Sequence, residues 1–169
     1  MKNLIKLSIK PIRQDMEKMR QRTGSFMKSH GISDDAVHSQ FRIIRELIKT
    51  GTKYGSFSPA DTEIRVKVQV DKNTITAEIN NLVNEADFER LKELDKTIQF
   101  IRGYQDPFEA FLITQKEASI NPPQGHSNAL DLSRIAYEEK AILDFFVNED
   151  NMLQLSAIRR LEGDSYSTM

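Results

Sequence analysis

The chain contains no cysteine. That excludes a disulfide framework, a zinc ribbon and thiol chemistry, and it suits a reducing cytosol. It also lacks an excess of either charge: Lys+Arg 24 against Asp+Glu 25 leaves a net charge of -1. No overall field therefore draws it to nucleic acid or to an anionic membrane. Long apolar runs are missing too. The opening "MKNLIKLSIKPIRQDMEK" has no uninterrupted apolar stretch of signal-peptide length, and no stretch reaches a membrane span. The expectation is a cytoplasmic protein. Glycine and proline are sparse, 7 and 5, which argues against a disordered or fibrous chain.

What is present is a globular mixture of 38% apolar and 29% charged residues in 169 positions, the length of one ordinary domain spanning residues 1–169. A chain of that size buries roughly 70% of the surface it exposes when unfolded. "LIKLSI" alternates as a short strand. "PIRQDMEKMRQRTGSFMKSHG" is a helix with Ile12, Met16, Met19 and Phe26 near one side, weakened at Thr23-Gly24 and stopped by Gly31. Ser33 caps a second helix whose first turn carries Asp34 and Asp35 and whose buried stripe is Val37, Phe41, Ile44, Leu47 and Ile48.

The clearest hairpin follows. Ile64, Val66, Val68 and Val70 alternate with Arg65, Lys67 and Gln69, "DKN" turns, and Ile75, Ala77 and Ile79 return. Residues 85 to 102 take helical spacing through Phe88, Leu91, Leu94, Ile98 and Ile101, and Asp106-Pro107 opens another short helix. The breaker loop "INPPQGHSN" precedes a helix from about Ala129 to Glu138. "AILDFFV" and "MLQLSAIRRL" form a closing hairpin, and residues 162–169 read as a frayed tail. The order predicts an α+β fold: a two-layer α/β sandwich with an antiparallel or mixed, mostly antiparallel sheet and helices on one face.

Several strings carry a resemblance. In "RELIKTGTKYG", Glu46 precedes Thr50 by one helical turn, and Lys53-Tyr54 is a basic and aromatic pair. The second hairpin strand ends at Asn80-Asn81, and "QGHSNALDLSRIAYEE" leads into a helix through Gly125, Ala129 and Asp131. This layout resembles the Bergerat-fold (GHKL, histidine-kinase-like) ATPase domain, and within it the small anti-sigma-factor serine kinase type, over nearly the whole chain. The resemblance implies that Glu46, Thr50, Lys53, Tyr54, Asn80, Asn81, Gly125, Ala129 and Asp131 are the remains of a nucleotide pocket. Thr50 stands in the place of a magnesium-binding asparagine, and Glu46 in that of the glutamate which orients a water or hydroxyl. Asn80 or Asn81 stands where an aspartate would accept from adenine, and Ala129 and Asp131 stand for glycines of the phosphate-binding helix entry.

Three motifs depart together. A threonine hydroxyl is shorter than the asparagine amide, an asparagine lacks the charge assistance of aspartate, and Asp131 repels a triphosphate. The leading expectation is thus a non-catalytic regulatory or interaction protein in bacterial signalling or partner switching, with no cofactor. Its partner would be a protein, a sigma-factor regulator or another signalling protein, with a homodimer as a further option. The alternative is an atypical Mg-ATP-binding protein serine/threonine kinase or ATPase, in which Glu46 would be catalytic and Thr50 would touch the metal. A third reading is a different small ligand in the altered pocket. His30, His38 and His126 have no metal-ligand spacing. Tyr104, Phe108 and Phe111 fall in the region of the nucleotide lid and either cap the core or form a docking surface.

Overall fold

A computed structural model describes residues 3–55, 63–120 and 128–167. The elements run β1 (Leu4–Ile9), α1 (Arg13–Ser29), α2 (Asp34–Tyr54), β2 (Ile64–Val70), β3 (Thr74–Leu82), α3 (Phe88–Arg102), α4 (Pro107–Ile120), α5 (Ala129–Glu138), β4 (Ala141–Val147) and β5 (Met152–Arg160). Single 3-10 turns at Glu85–Asp87 and Gly163–Ser165 precede α3 and follow β5.

The five strands form one sheet in the order β1-β2-β3-β5-β4. Every pairing is antiparallel, so of the two expected arrangements the unmixed one holds. Alternation decides which face is dry. Leu7, Ile9, Ile64, Val66, Val68, Ile75, Ala77, Ile79, Leu153, Leu155 and Ala157 are buried, while their neighbours in sequence point the other way. The helices gather over that dry face, and their stripes (Ile43, Ile44, Leu47 and Ile48 of α2; Leu91, Leu94, Ile98 and Ile101 of α3; Leu132, Ile135 and Ala136 of α5) join the strands in a contiguous core. The architecture is a two-layer α/β sandwich.

Local chemistry sets the ends of the elements. Ser33 Oγ accepts from the Ala36 amide at 3.2 Å, and Asp34 and Asp35 lie against the positive end of α2. Gly31, at φ 77°, takes the left-handed conformation that ends α1. In the β4–β5 turn the Asn148 side chain accepts from the amides of Asp150 and Met152, at 2.9 and 3.0 Å.

Two expectations need correcting. Up to Ser167 the tail is tied down rather than frayed. Ser33 N–H donates to Ser165 O and Ser167 N–H to Gly31 O, both at 2.7 Å, Ile32 and Tyr166 make a β-bridge, and Ser165 is buried. The α1 stripe is also shifted. Met19 and Met27 are its buried apolar residues, Met16 and Phe26 are half-buried, and Ile12 is exposed. Gly24 is no defect in that helix, because a Cβ there would lie 3.1 Å from Phe41 Cζ: the glycine lets the Phe41 ring rest on α1.

Candidate functional site

Three elements converge on the expected pocket: the last two turns of α2, the end of β3 and the start of α5. Apolar residues hold α2 on the sheet, and that places Glu46, Thr50 and Gly51 on the side of the helix facing β3 and α5. Strand parity then separates the two asparagines. Asn81 shares the dry face with Ile79 and is fully buried, whereas Asn80 lies on the open face and donates to Glu78 Oε2 at 3.3 Å. Only Asn81 reaches α2.

Asn81 Nδ2 donates to the Gly51 carbonyl oxygen at 2.8 Å. The fit is close on both sides. A Cβ on Gly51 would sit 2.7 Å from Ile79 Cδ1 and 2.9 Å from Asn81 Oδ1, and one on Gly55 would fall against the Asn81 amide and 2.7 Å from Gly51 O. Glycine at both positions thus lets the end of α2 press onto β3. Thr50 is fully buried and its Oγ1 accepts from Asn128 Nδ2 at 2.7 Å. Asn128 occupies the N-cap position of α5 but makes no side-chain cap bond there, its amide having turned to α2 instead.

Charge closes the outer side of this contact. Lys49 Nζ is 2.9 Å from Asp131 Oδ2 on the first turn of α5 and 3.8 Å from Glu46 Oε1. Hydrogen bonding to Asp131 raises the Lys49 ammonium above its ordinary pKa. Burial, reinforced by the nearby Asp131 carboxylate, pushes the Glu46 carboxyl up. At the far end of α5, Arg42 forks onto Glu139 through Nε at 2.8 Å and Nη2 at 3.1 Å, so α2 and α5 are pinned at two levels.

The remaining expected residues are not all in this cluster. Lys53 is half-buried, its ammonium lies 5.3 Å from the Tyr54 ring centroid, and burial lowers its pKa. Tyr54 is a core residue with its hydroxyl pushed up to about 12, first by burial and then by the Glu93 charge. Ala129 opens α5 beside Asn128, and Gly125 lies outside the described residues. Phe108 and Phe111 pack on Tyr137 of α5, with centroids 4.9 and 5.4 Å apart, and Tyr104 packs on Phe100. The first three join α4 to α5 at the surface, with Phe108 and Tyr137 exposed.

Sequence reasoning missed Asn128, Lys49, Gly51 and Gly55 as members of the cluster. The signals were an asparagine just before the α5 entry, a lysine one turn after Arg45, and two glycines at the end of α2, one in its last turn and one just past it.

A magnesium-triphosphate does not fit these residues as they stand. The Thr50 hydroxyl is bonded inward to Asn128, Asp131 sets a carboxylate at the α5 entry where phosphate would need an amide, and Asn81 presents its N–H side to Gly51. Three acceptors are left over. Glu46 Oε1, Asn81 Oδ1 and Asn128 Oδ1 are buried with no hydrogen-bond partner among the described residues.

Neither a protein-family model nor a curated protein sequence matches this chain. Its fold is similar to that of a chain in the crystal structure of the SiaB-SiaC complex from Pseudomonas aeruginosa. That likeness has a TM-score of 0.68 at 15% sequence identity and covers 94% of this chain and 90% of that one. At such identity the likeness is one of fold. Among the described residues, no helix is long and apolar enough to cross a membrane.

Proposed function

We propose that this chain is a non-catalytic regulatory protein of bacterial signalling, built on a Bergerat-like scaffold and working by contact with a protein partner in a partner-switching circuit. The observation that carries the reading is the Asn128–Thr50 hydrogen bond. The side chain that stands in the metal position spends its oxygen on holding α5 to α2. Two further features support it. Asp131 sets its charge against an incoming phosphate, and the structurally similar chain comes from a complex of two proteins. The open face of the sheet also offers contact area. Leu82, Ile142, Phe146 and Ile158 are exposed there at 54, 57, 51 and 41%. Such a patch suits a protein partner or a second copy of this chain.

The orphaned acceptors favour a second reading. Asn81 Oδ1 and Asn128 Oδ1 call for donors, and Glu46 Oε1 has the Lys49 ammonium only at 3.8 Å. A small ligand would bring such donors, and an atypical ATP-binding serine/threonine kinase or ATPase is one protein that would use them. Calorimetric titration with Mg-ATP, Mg-ADP and metal-free nucleotide separates the two. No heat at micromolar nucleotide is expected. Micromolar, magnesium-dependent affinity would overturn the non-catalytic reading, and affinity without magnesium would point to a nucleotide or other donor ligand held without phosphate chemistry.

A further inference from the structure

On the outer side of the helical layer, away from the cluster just described, α1 and α2 leave a cavity of about 300 Å³ between them. That is the lower end of the size range of small-ligand pockets. Its floor is apolar, formed by Met16, Met19 and the Phe41 ring that Gly24 admits. Its rim is basic: Arg13, Arg20, Arg42 and Arg45 line it against one carboxylate, Glu17. In a chain whose overall charge is -1, this is a strong local segregation.

The arginines are not equivalent. Arg42 is already held by Glu139, so it forms a fixed wall. Arg20 lies over the Phe41 ring, 5.0 Å from its centroid, and makes no ion pair among the described residues. No carboxylate lies within ion-pair distance of Arg13 or Arg45 among the described residues. Such a rim is set out for the forked, two-point recognition of a carboxylate or phosphate, directly above a floor that would hold hydrocarbon or an aromatic ring.

The geometry points to a binding site for a small organic anion, with a carboxylate or phosphate head on Arg13, Arg20 and Arg45 and an apolar body against Met16 and Phe41. Its net positive rim disfavours cationic ligands, and its apolar floor adds affinity that a bare head group does not gain. The site shares only the Arg42 wall with the α2–α5 contact and uses none of Glu46, Thr50, Asn81 or Asp131, so its test does not depend on the proposed function.

The test is a calorimetric and ¹H–¹⁵N NMR titration of the full chain with five probes, the amphiphiles each below their micelle concentration: decanoate, decyl phosphate, decanol, inorganic phosphate and poly-glutamate. Decanoate, decyl phosphate or both are expected to bind at least about tenfold more tightly than decanol or inorganic phosphate. Their shifts should fall on α1 and α2, and the comparison of the two heads tells carboxylate from phosphate as the natural source. Arg13→Glu with Arg45→Glu, which removes no ion pair, is expected to weaken binding at least about tenfold with an unchanged circular-dichroism spectrum. Should that double variant fail to fold, Met16→Glu, which puts a charge on the floor, serves in its place. Equal binding of decanol, binding of inorganic phosphate alone (an adventitious ion only), a double variant that binds like wild type, or binding of poly-glutamate but of none of the amphiphiles would each overturn the proposal. The last would assign the groove to an acidic protein segment.

Discussion

An aspartate at position 81 would bring a charge to this strand end, but its acceptor oxygens would meet the Gly51 carbonyl to which Asn81 now donates. Two acceptors face to face in a buried contact leave both unsatisfied, at a loss of about 1 to 3 kcal/mol. Asn81→Asp is therefore expected to lower the urea midpoint, and a midpoint equal to wild type would show that the Asn81–Gly51 bond does not form. Glu46 gives a pH signature. Burial raises its folded pKa above the unfolded value, so its ionisation opposes folding. The penalty is absent below the unfolded carboxylate pKa of 4.5, grows as pH rises, and is complete above the folded pKa. Glu46→Gln should thus match wild type in melting temperature at about pH 4 and exceed it at neutral pH. A difference that stays constant with pH would rule out this account. At this scale the sequence was half legible: it offers Asn80 and Asn81 alike at the strand end, and the structure, carrying the alternation of Ile75, Ala77 and Ile79 on to 81, separates them. The Thr50–Asn128 bond was not legible, because its partners lie far apart in the chain and meet only once α5 has docked.

The last turn of α2 is where one element's end is set by another's surface. Replacing a helical glycine by alanine ordinarily favours the helix by up to about 1 kcal/mol. At Gly51 that gain opposes contacts of 2.7 Å with the movable tip of Ile79 and 2.9 Å with Asn81 Oδ1. At Gly55 the backbone is extended (φ -78°, ψ 162°), so no helical gain applies, and the new methyl meets the Gly51 carbonyl and the Asn81 amide. Gly55→Ala should lose about 3 kcal/mol, and Gly51→Ala clearly less, by chemical denaturation. The reverse ranking would mean that the α2 terminus moves freely off β3. The tail makes a similar point. Its hydrogen bonds to Gly31 and Ser33, together with the Tyr166 hydroxyl on Lys72 O at 3.1 Å, place residues 163–167 across the α1–α2 connection. Ending the chain after Glu162 is expected to lower stability by about 1 to 3 kcal/mol, measured by the same method. Polar composition alone read this segment as loose. Its order comes largely from backbone groups of the α1–α2 turn, together with the Tyr166 hydroxyl and the Glu162–Ser165 capping box.

For the whole molecule, the sequence yielded the element order and the dry face, since period-two and helical spacing report burial directly. It did not yield the strand order, in which β5 slips between β3 and β4, nor the apolar half of the open face, because "AILDFFV" is apolar on both sides. Function at this scale is expected to show as a lack of nucleotide chemistry that single changes do not reverse. Thr50→Asn and Asp131→Gly each disturb one side of a paired contact, displacing the hydroxyl that Asn128 bonds or leaving Lys49 with only the longer contact to Glu46. Each alone should destabilise the chain without conferring Mg-ATP binding in calorimetry, and the combination should depart from the sum of the two because the sites share α2 and α5. A single variant that gained micromolar affinity would show the pocket to be nearly intact. Light scattering tests the second-copy option, since a mass that stays monomeric over all concentrations would leave only a different protein as partner for the open face.

The position of β5 has a consequence for how the chain reaches its native state. The ladder from Thr74↔Arg160 to Leu82↔Met152 joins the middle of the sequence to its end, and it is the central seam of the sheet. The first hairpin can zip early from local contacts, but the seam must wait until α3, α4, α5 and the second hairpin have been brought round, which makes it the costly closure in conformational search. The folding rate should therefore be governed by side chains along that seam. Ala157→Gly is expected to slow refolding, whereas an equally destabilising change at Met27 in α1 should act mainly by speeding unfolding. A nascent chain would expose the β3 edge until β5 has emerged, and during that interval the edge is open to pairing with another chain.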